Sequence, residues 1–375
     1  MLEQLVFESN KVKLLPKELI PNLVSRLLKT GLAFGILKDT QTLDFHVCIS
    51  KEEDIQVISN IEDLIENDIT YGFIAFPFDK RKKKGFFISN SIDIAEIELF
   101  STSVDQTDPN ESYHLTSQSH YKSGVEQAVK TIKEGQFQKL VFSRTLEIPF
   151  SMESVEGVVA QLINLYPEAN LCFFNMPGEG FWVSASPEIL VEKKATESYL
   201  KTMALAGTML YSGQELKGQG WTEKEIEEQA LVSRFMKEKF VESGHFEFEE
   251  KGPITIQAGN LLHLRTDYKV KTIFKNSFIF LAQSLHPTSA VCGSPRNEAF
   301  DWIAEHEDFE RDFFTGFAGI IGPDFGKLVV LLRSAKLENG KATLFSGAGL
   351  TACSDQNAEW VETEEKLKTL LRAIQ

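Results

Sequence analysis

Cysteine is scarce in this 375-residue chain, and its four copies, Cys48, Cys172, Cys292 and Cys353, stand far apart. No C-x-x-C pair occurs, so zinc-ribbon and dithiol redox chemistry have no motif to rest on. Such usage suits a reducing compartment, and a cytoplasmic location is expected. Histidine is thin as well, with seven scattered copies and no H-E-x-x-H. Positive charge is in deficit: 39 Lys and Arg face 54 Asp and Glu, for a net charge of −15. That balance argues against nonspecific nucleic-acid binding and against an anionic membrane surface. No run approaches the ~18–20 apolar residues of a membrane span. The opening MLEQLVFESNKVK lacks the apolar core of a signal peptide.

Core-forming residues are plentiful: 42% of the chain is hydrophobic and 29 residues are Phe. Length alone favours two or three domains but allows one large α/β unit. Residues 1–110 alternate short apolar runs with polar turns and read as a weakly patterned N-terminal part of the same unit. FIAFPF (73–78) and FFIS (86–89) read as strands around a solvated basic tip, DKRKKKG. STSVDQTDPNES (101–112) is the linker candidate, and 111–375 carries the chemistry. There, Tyr121, Val125, Ala128, Val129 and Ile132 mark an amphipathic helix, KLVFSRTLEI (139–148) a buried strand, and 154–165 a second helix. LCFFNM and FWVSAS read as a hairpin around PGEG, and YLKTMALAG continues the sheet. A long helix from 222, strands near 269–282, a helix near 296–314, a hairpin KLVVLLRSAKL–ENGK–ATLFSGAG and a last helix complete the pattern. Strands outnumber βαβ units. The expectation is therefore an α+β fold of large mixed or antiparallel sheets with flanking helices.

Two glutamate pairs share one spacing: Glu225 with Glu228, and Glu359 with Glu362. Residues three apart share a helix face. In 222–240, Ile226, Leu231, Val232, Phe235, Met236 and Phe240 form an apolar stripe, and Glu225 and Glu228 fall inside it. In the last helix, Glu359 lies within the apolar arc, Glu362 at its edge, and Lys366 one turn on. Four converging carboxylates would suit Mg2+, which prefers oxygen ligands. The plainer reading is two solvated acidic faces, or caps; Thr222 with Glu225 fits a capping box.

Other polar groups interrupt apolar surroundings. Lys139 opens a buried strand, Glu188 follows FWVSASP, and Arg333 divides LVVLL from SAKL. Gly347, Ala348 and Gly349 lie between strand and helix, where bare N–H groups could hold a carboxylate. Each also has an ordinary reading: a snorkelling lysine, a turn glutamate, a surface arginine, a simple turn.

Taken in order, QKLVFSR (138–144), SASPEIL (184–190), LAGT (205–208), the E-x-x-E-x-x-L-V helix (225–232), LHPTSAVCGSP (285–295), LLRSAKL (331–337) and LFSGAGLTACSDQNAEWVETEEKL (344–367) resemble the chorismate-utilising enzymes, and within them isochorismate synthases. The resemblance runs through about residues 115–372. It implies the fold of that family, typified by aminodeoxychorismate synthase, and a Mg2+-dependent isomerisation of chorismate. Lys139 matches the family's general base and Glu188 its general acid. Glu228 and Glu362 match the direct metal ligands, and Glu225 and Glu359 match residues that reach the metal's waters. Arg333, Lys366 and the 347–349 amides match carboxylate binders. Ala206, Gly207, Thr208 and His286 match pocket-lining positions.

The chemistry explains these types: water adds at C2, the double bonds shift and the C4 hydroxyl leaves, so one base and one acid are needed. Lys139 stands where ammonia-adding relatives lack a lysine, and Ala206 stands where the aminodeoxychorismate branch has one. No amidotransferase partner is expected, and a monomer or weak dimer is. The product implied is isochorismate for menaquinone or, alternatively, catechol siderophores. A salicylate synthase and a noncatalytic chorismate- or partner-binding protein are the rival readings. Two positions depart from the pattern: Ser184 replaces a usual glycine, and Ser289 a usual proline.

Overall fold

The computed structural model describes residues 13–375 apart from 41, 67–70, 101–113, 214, 217, 219, 273 and 275. The linker candidate 101–112 lies outside the described residues. Among those described, two nine-stranded sheets carry the fold. The first runs Lys13–Leu15, Phe45–Ser50, Ala33–Lys38, Asn170–Met176, Gly180–Ser186, Ser334–Glu338, Gly340–Leu350, Lys139–Phe150 and Gly293–Ser294. The second runs Phe248–Ala258, Leu261–Lys271, Tyr199–Leu210, Ile189–Lys193, Gly326–Val330, Phe317–Ile321, Gly72–Phe76, Gly85–Ser89 and Ile55–Ile58. Every pairing within them is antiparallel. Residues 13–89 give three strands to each sheet.

Strand alternation explains the layering. In Asn170–Met176, Leu171 and Phe173 join a core under the helices, while Cys172 and Phe174 join a core shared with the second sheet. Both faces are buried, so LCFF shows no polar alternation. Helices Ile20–Leu28, Val155–Leu165 and Gln356–Ile374 cover the first sheet. Helices Glu223–Glu242 and Ser277–Leu285 cover the second. The result is helices, sheet, sheet, helices.

Several local expectations change. Residues 277–285 are a helix rather than a strand: Phe278, Ile279, Leu281, Ala282 and Leu285 are buried at helical spacing. The strands of that region are Phe248–Ala258 and Leu261–Lys271, a hairpin turning at Gly259 with φ +62°. The helix near 296–314 ends at His306. Ile226 is exposed despite its place in the apolar stripe. The basic tip is docked rather than simply solvated, since Lys83 pairs with both Glu179 and Asp312.

The most consequential change concerns KLVVLLRSAKL, which is not one strand. Gly326–Val330 belongs to the second sheet and Ser334–Glu338 to the first. The chain crosses between sheets at 331–333, and Arg333 takes φ +47° there. A second crossing, in the opposite sense, separates Gly180–Ser186 from Ile189–Lys193. The two crossings are hydrogen-bonded neighbours: Ala185 N donates to Arg333 O at 3.1 Å, and Val330 N donates to Glu188 O at 3.1 Å.

Candidate functional site

The paired crossings aim Glu188 and Arg333 into one cavity of about 80 Å³. Ala206, Gly207, Thr208, Glu228, Gly347, Gly349 and Lys366 line it too. Pro187 and Arg333 are shared with a broader adjoining cleft of about 550 Å³. Two of the lining glycines are required by their neighbours. Gly207 sits at a bulge opposite His263 with φ +68°, a conformation that disfavours a side chain. A Cβ on Gly349 would run into Glu228 Oε1.

Lys139 is fully buried at the first position of its strand. Its Nζ donates to Ser289 O at 2.9 Å and lies 3.3 Å from Glu228 Oε1. Burial lowers its pKa, against the opposing pull of Glu228. Glu188 is buried as well, and its N–H donates to Ser186 Oγ at 3.1 Å. Burial pushes its carboxyl up to about 8, with Lys139 and the Thr288 hydroxyl pulling the other way. Lys139 does not line the cavity itself: it stands behind Glu228, which does, and its charge acts on Glu188.

Arg333 donates from Nη1 to Thr369 Oγ1 at 3.3 Å. Its positive φ costs of order 1–2 kcal/mol, offset by this bond and by the crossing itself. Sequence reasoning missed the residue that orients it. His263 is buried, with Nδ1 2.9 Å from Gly207 O and Nε2 3.1 Å from Arg333 Nη2. Burial, then Arg333 and Lys366, push its ring down to about 3, so it is neutral at ordinary pH. Nδ1–H therefore donates to Gly207 O, and Nε2 accepts from Arg333. The available signal was a lone histidine inside the apolar strand NLLHL.

The four paired glutamates part company. Glu225 closes the capping box, accepting from Thr222 N at 3.1 Å, so the plainer reading describes its observed contacts. Glu228 and Glu359 are buried. Glu359 Oε1 lies 2.7 Å from Lys224 Nζ. Its Oε2 has no hydrogen-bond partner of normal geometry, although the Ser354 hydroxyl is close enough to stabilise the charge. Glu362 Oε1 lies 2.7 Å from Lys366 Nζ, which also donates to Gly347 O at 2.8 Å. Burial and the Glu362 charge raise Glu359; burial also acts on Glu362, but Lys366 and Lys224 outweigh it and hold that carboxyl low. Three all-oxygen donors and one orphaned buried oxygen fit a hard divalent cation. As they stand they are paired with lysines, and no three His, Cys, Asp or Glu among the described residues are gathered to hold a metal.

Two expected pocket residues are elsewhere. His286 packs edge-on against Phe76 and Phe317, with Nε2 3.0 Å from Pro77 O, so its ring fills core rather than cavity. Ala348 is fully buried and does not line the cavity, because alternation turns it to the opposite strand face from Gly347 and Gly349. The departures from pattern are absorbed. Ser184 is an ordinary strand residue whose Oγ donates to Leu332 O at 2.8 Å across the crossing. Ser289 is buried and presents its carbonyl to Lys139. Behind the site, Arg144 bonds Thr363 Oγ1 at 2.8 Å and stacks 3.9 Å over Trp360, fixing the last helix to its strand.

Comparison with known proteins places the chain in a family. The chain is 29% identical over 324 residues to isochorismate synthase EntC of Escherichia coli K12, covering 83% of this chain and 82% of the relative. It is 28% identical over 324 residues to isochorismate synthase DhbC of Bacillus subtilis, covering 80% and 79%. The structure of MenF, the menaquinone-specific isochorismate synthase of Escherichia coli, superposes with a TM-score of 0.76 at 21% identity, over 100% of this chain and 97% of that one, and shows a shared fold. No helix among the described residues is long and apolar enough to cross a membrane. The profile of the family described as "Chorismate binding enzyme" matches residues 73–375, and the chain belongs to that family.

Proposed function

We propose that the protein is an isochorismate synthase, converting chorismate to isochorismate with Mg2+. The observation that carries this reading is that Glu188 lines the cavity and Lys139 contacts its wall at Glu228, with burial moving the two pKa values in the directions an acid and a base require. Lys139 takes a proton from a water aimed at C2 of the ring. The ring double bonds shift, and Glu188 gives its proton to the C4 hydroxyl, which leaves as water. One water enters and one departs, so the step is an isomerisation. Arg333, held by His263, and Lys366, held by Glu362 and Gly347 O, bind substrate carboxylate. Ala206, Gly207 and Thr208 form part of the pocket wall.

Glu228 and Glu362 would hold Mg2+ directly, with Glu359 and Glu225 reaching its waters. Bound there, the ion would anchor the ring carboxylate and draw electron density from the ring. Glu225 would have to loosen its cap bond for this. The substrate partner is chorismate alone, without an amidotransferase, and the protein acts in the cytoplasm as a monomer or weak dimer. Menaquinone is the destination we assign, with catechol siderophores as the alternative; quinone content of a deletion strain distinguishes them. Incubation of the protein with chorismate and Mg2+, with and without ammonia, tests the activity itself. Isochorismate as the first product, indifferent to ammonia, is expected. Salicylate with pyruvate as the first products, or no turnover, would sink the reading.

A further inference from the structure

Three carboxylates and three ammonium groups are paired beside the cavity, of which Glu228 and Lys366 line it. Lys139 meets Glu228 at 3.3 Å, Lys224 meets Glu359 at 2.7 Å and Lys366 meets Glu362 at 2.7 Å. Lys139 and Lys366 each have a second, backbone acceptor, Ser289 O and Gly347 O. Lys224 differs. Among the described residues its only close bond is to Glu359, and its side chain is about as exposed as that of Lys366. It stands at the second position of helix Glu223–Glu242, one residue before the capping Glu225. Yet it is within the field of Glu362 and Glu228 as well as Glu359. Its ammonium therefore touches one of the three carboxylates and is drawn by the charge of the other two.

We propose that Lys224 is a built-in cation that holds the Glu228, Glu359 and Glu362 carboxylates together in the metal-free protein, and that it must leave Glu359 before a divalent cation can bind. The proposal rests on the metal reading above and concerns how that site is kept when empty of ion. Three ammonium groups balance three carboxylates, so a divalent ion added to the set meets like charge unless one lysine withdraws. Lys224 has a route to solvent, as Lys366 does, but no backbone bond to break. The metal-free site stays closed, its orphaned Glu359 Oε2 waiting for a second cationic partner. Metal affinity is lowered by the competition, as for any ligand whose competent state is a fraction of the total.

The test uses Mn2+ as the probe, with free Mn2+ counted by electron paramagnetic resonance during titration of the full chain without substrate. Lys224→Met is compared with the parent and with Lys368→Met. Lys368 pairs with Glu365 on the exposed side of the last helix, so the second variant loses the same charge away from the cluster. Lys224→Met is expected to bind Mn2+ at least tenfold more tightly than the parent, and Lys368→Met within about twofold of it. Without metal, Lys224→Met should melt below the parent, and saturating Mn2+ should close that gap. Lys224→Gln, which keeps a hydrogen-bond donor, should repeat the tighter binding if Lys224→Met folds poorly. Equal or weaker Mn2+ binding by both variants, with the parent binding normally, overturns the role of Lys224 and leaves the metal site standing. Absence of Mn2+ binding in parent and variants alike overturns both.

Discussion

Lys139 Nζ lies 3.3 Å from Glu228 Oε1, so the proposed base and a proposed metal ligand form one buried ion pair. Neither can be altered without leaving the other charge unpaired in a poorly solvated place. This contact shapes the first prediction.

Lys139→Met is expected to lower kcat by 10²- to 10⁴-fold, the usual worth of a positioned base. Chorismate binding in the presence of Mg2+ should persist. The metal-free variant should lose about 3 kcal/mol of stability, because Glu228 is then buried without its partner. Mg2+ should restore much of that loss. Calorimetry with and without the ion checks both halves; loss of substrate binding would make Lys139 a structural residue.

Glu188 gives a pH dependence with a definite sign. Its folded pKa of about 8 exceeds the ordinary value of 4.5. Between these values the unfolded chain releases a proton that the folded chain keeps. Stability therefore falls as pH rises through that window, by roughly 4–5 kcal/mol in full. Over the same range the acid remains protonated, and kcat should decline only as pH passes about 8. Glu188→Gln removes the proton and the penalty together. Its melting temperature relative to the parent should rise from pH 5 to pH 8, while its kcat falls at least a hundredfold. A difference that is flat with pH would mean that Glu188 is charged in the fold.

His263→Phe removes the acceptor that aims Arg333. A hydrogen bond to a charged group contributes about 1.5–3 kcal/mol. KM for chorismate should rise about ten- to a hundredfold, with a smaller change in kcat. His263→Gln, which can still accept, should recover part of it. The parent's KM should stay level between pH 6 and 8, since the ring is already neutral there.

Gly349→Ala places a methyl group against Glu228 Oε1. The carboxylate must move, and the Mg2+ concentration needed for half-maximal activity should rise at least tenfold. Glu228→Gln and Glu362→Gln should raise it further. Unchanged metal dependence in all three would refute the proposed ligand set.

The candidate site residues were more legible in the sequence than the contacts that bring them together. Lys139, Glu188 and Arg333 interrupt apolar runs, but each also had an ordinary reading, and the ordered motifs singled them out. Helix periodicity placed Glu228 and Glu359 on apolar faces, where they are buried, but it placed Glu225 and Ile226 there too, and Ile226 is exposed. Contacts distant along the chain were hidden: Lys139 meets a carbonyl 150 residues away, and His263 meets Arg333 70 residues away. The split of KLVVLLRSAKL between two sheets was invisible because both halves are equally apolar. Helix Ser277–Leu285 was misread for a related reason: Phe and Ile favour strands, and only its packing reveals the period. His286 drew attention by motif, whereas Phe76 and Phe317 hold it in the core.

The central claim, that water adds at C2 under Lys139 while Glu188 expels the C4 hydroxyl, is tested most directly by isotope. Chorismate and Mg2+ are incubated with the protein in H2(18)O, and the product is analysed at early times by mass spectrometry. The account predicts isochorismate carrying one 18O atom, located in the C2 hydroxyl, and the same label in the far slower product of Lys139→Met. Unlabelled isochorismate, or salicylate and pyruvate in its place, would contradict it.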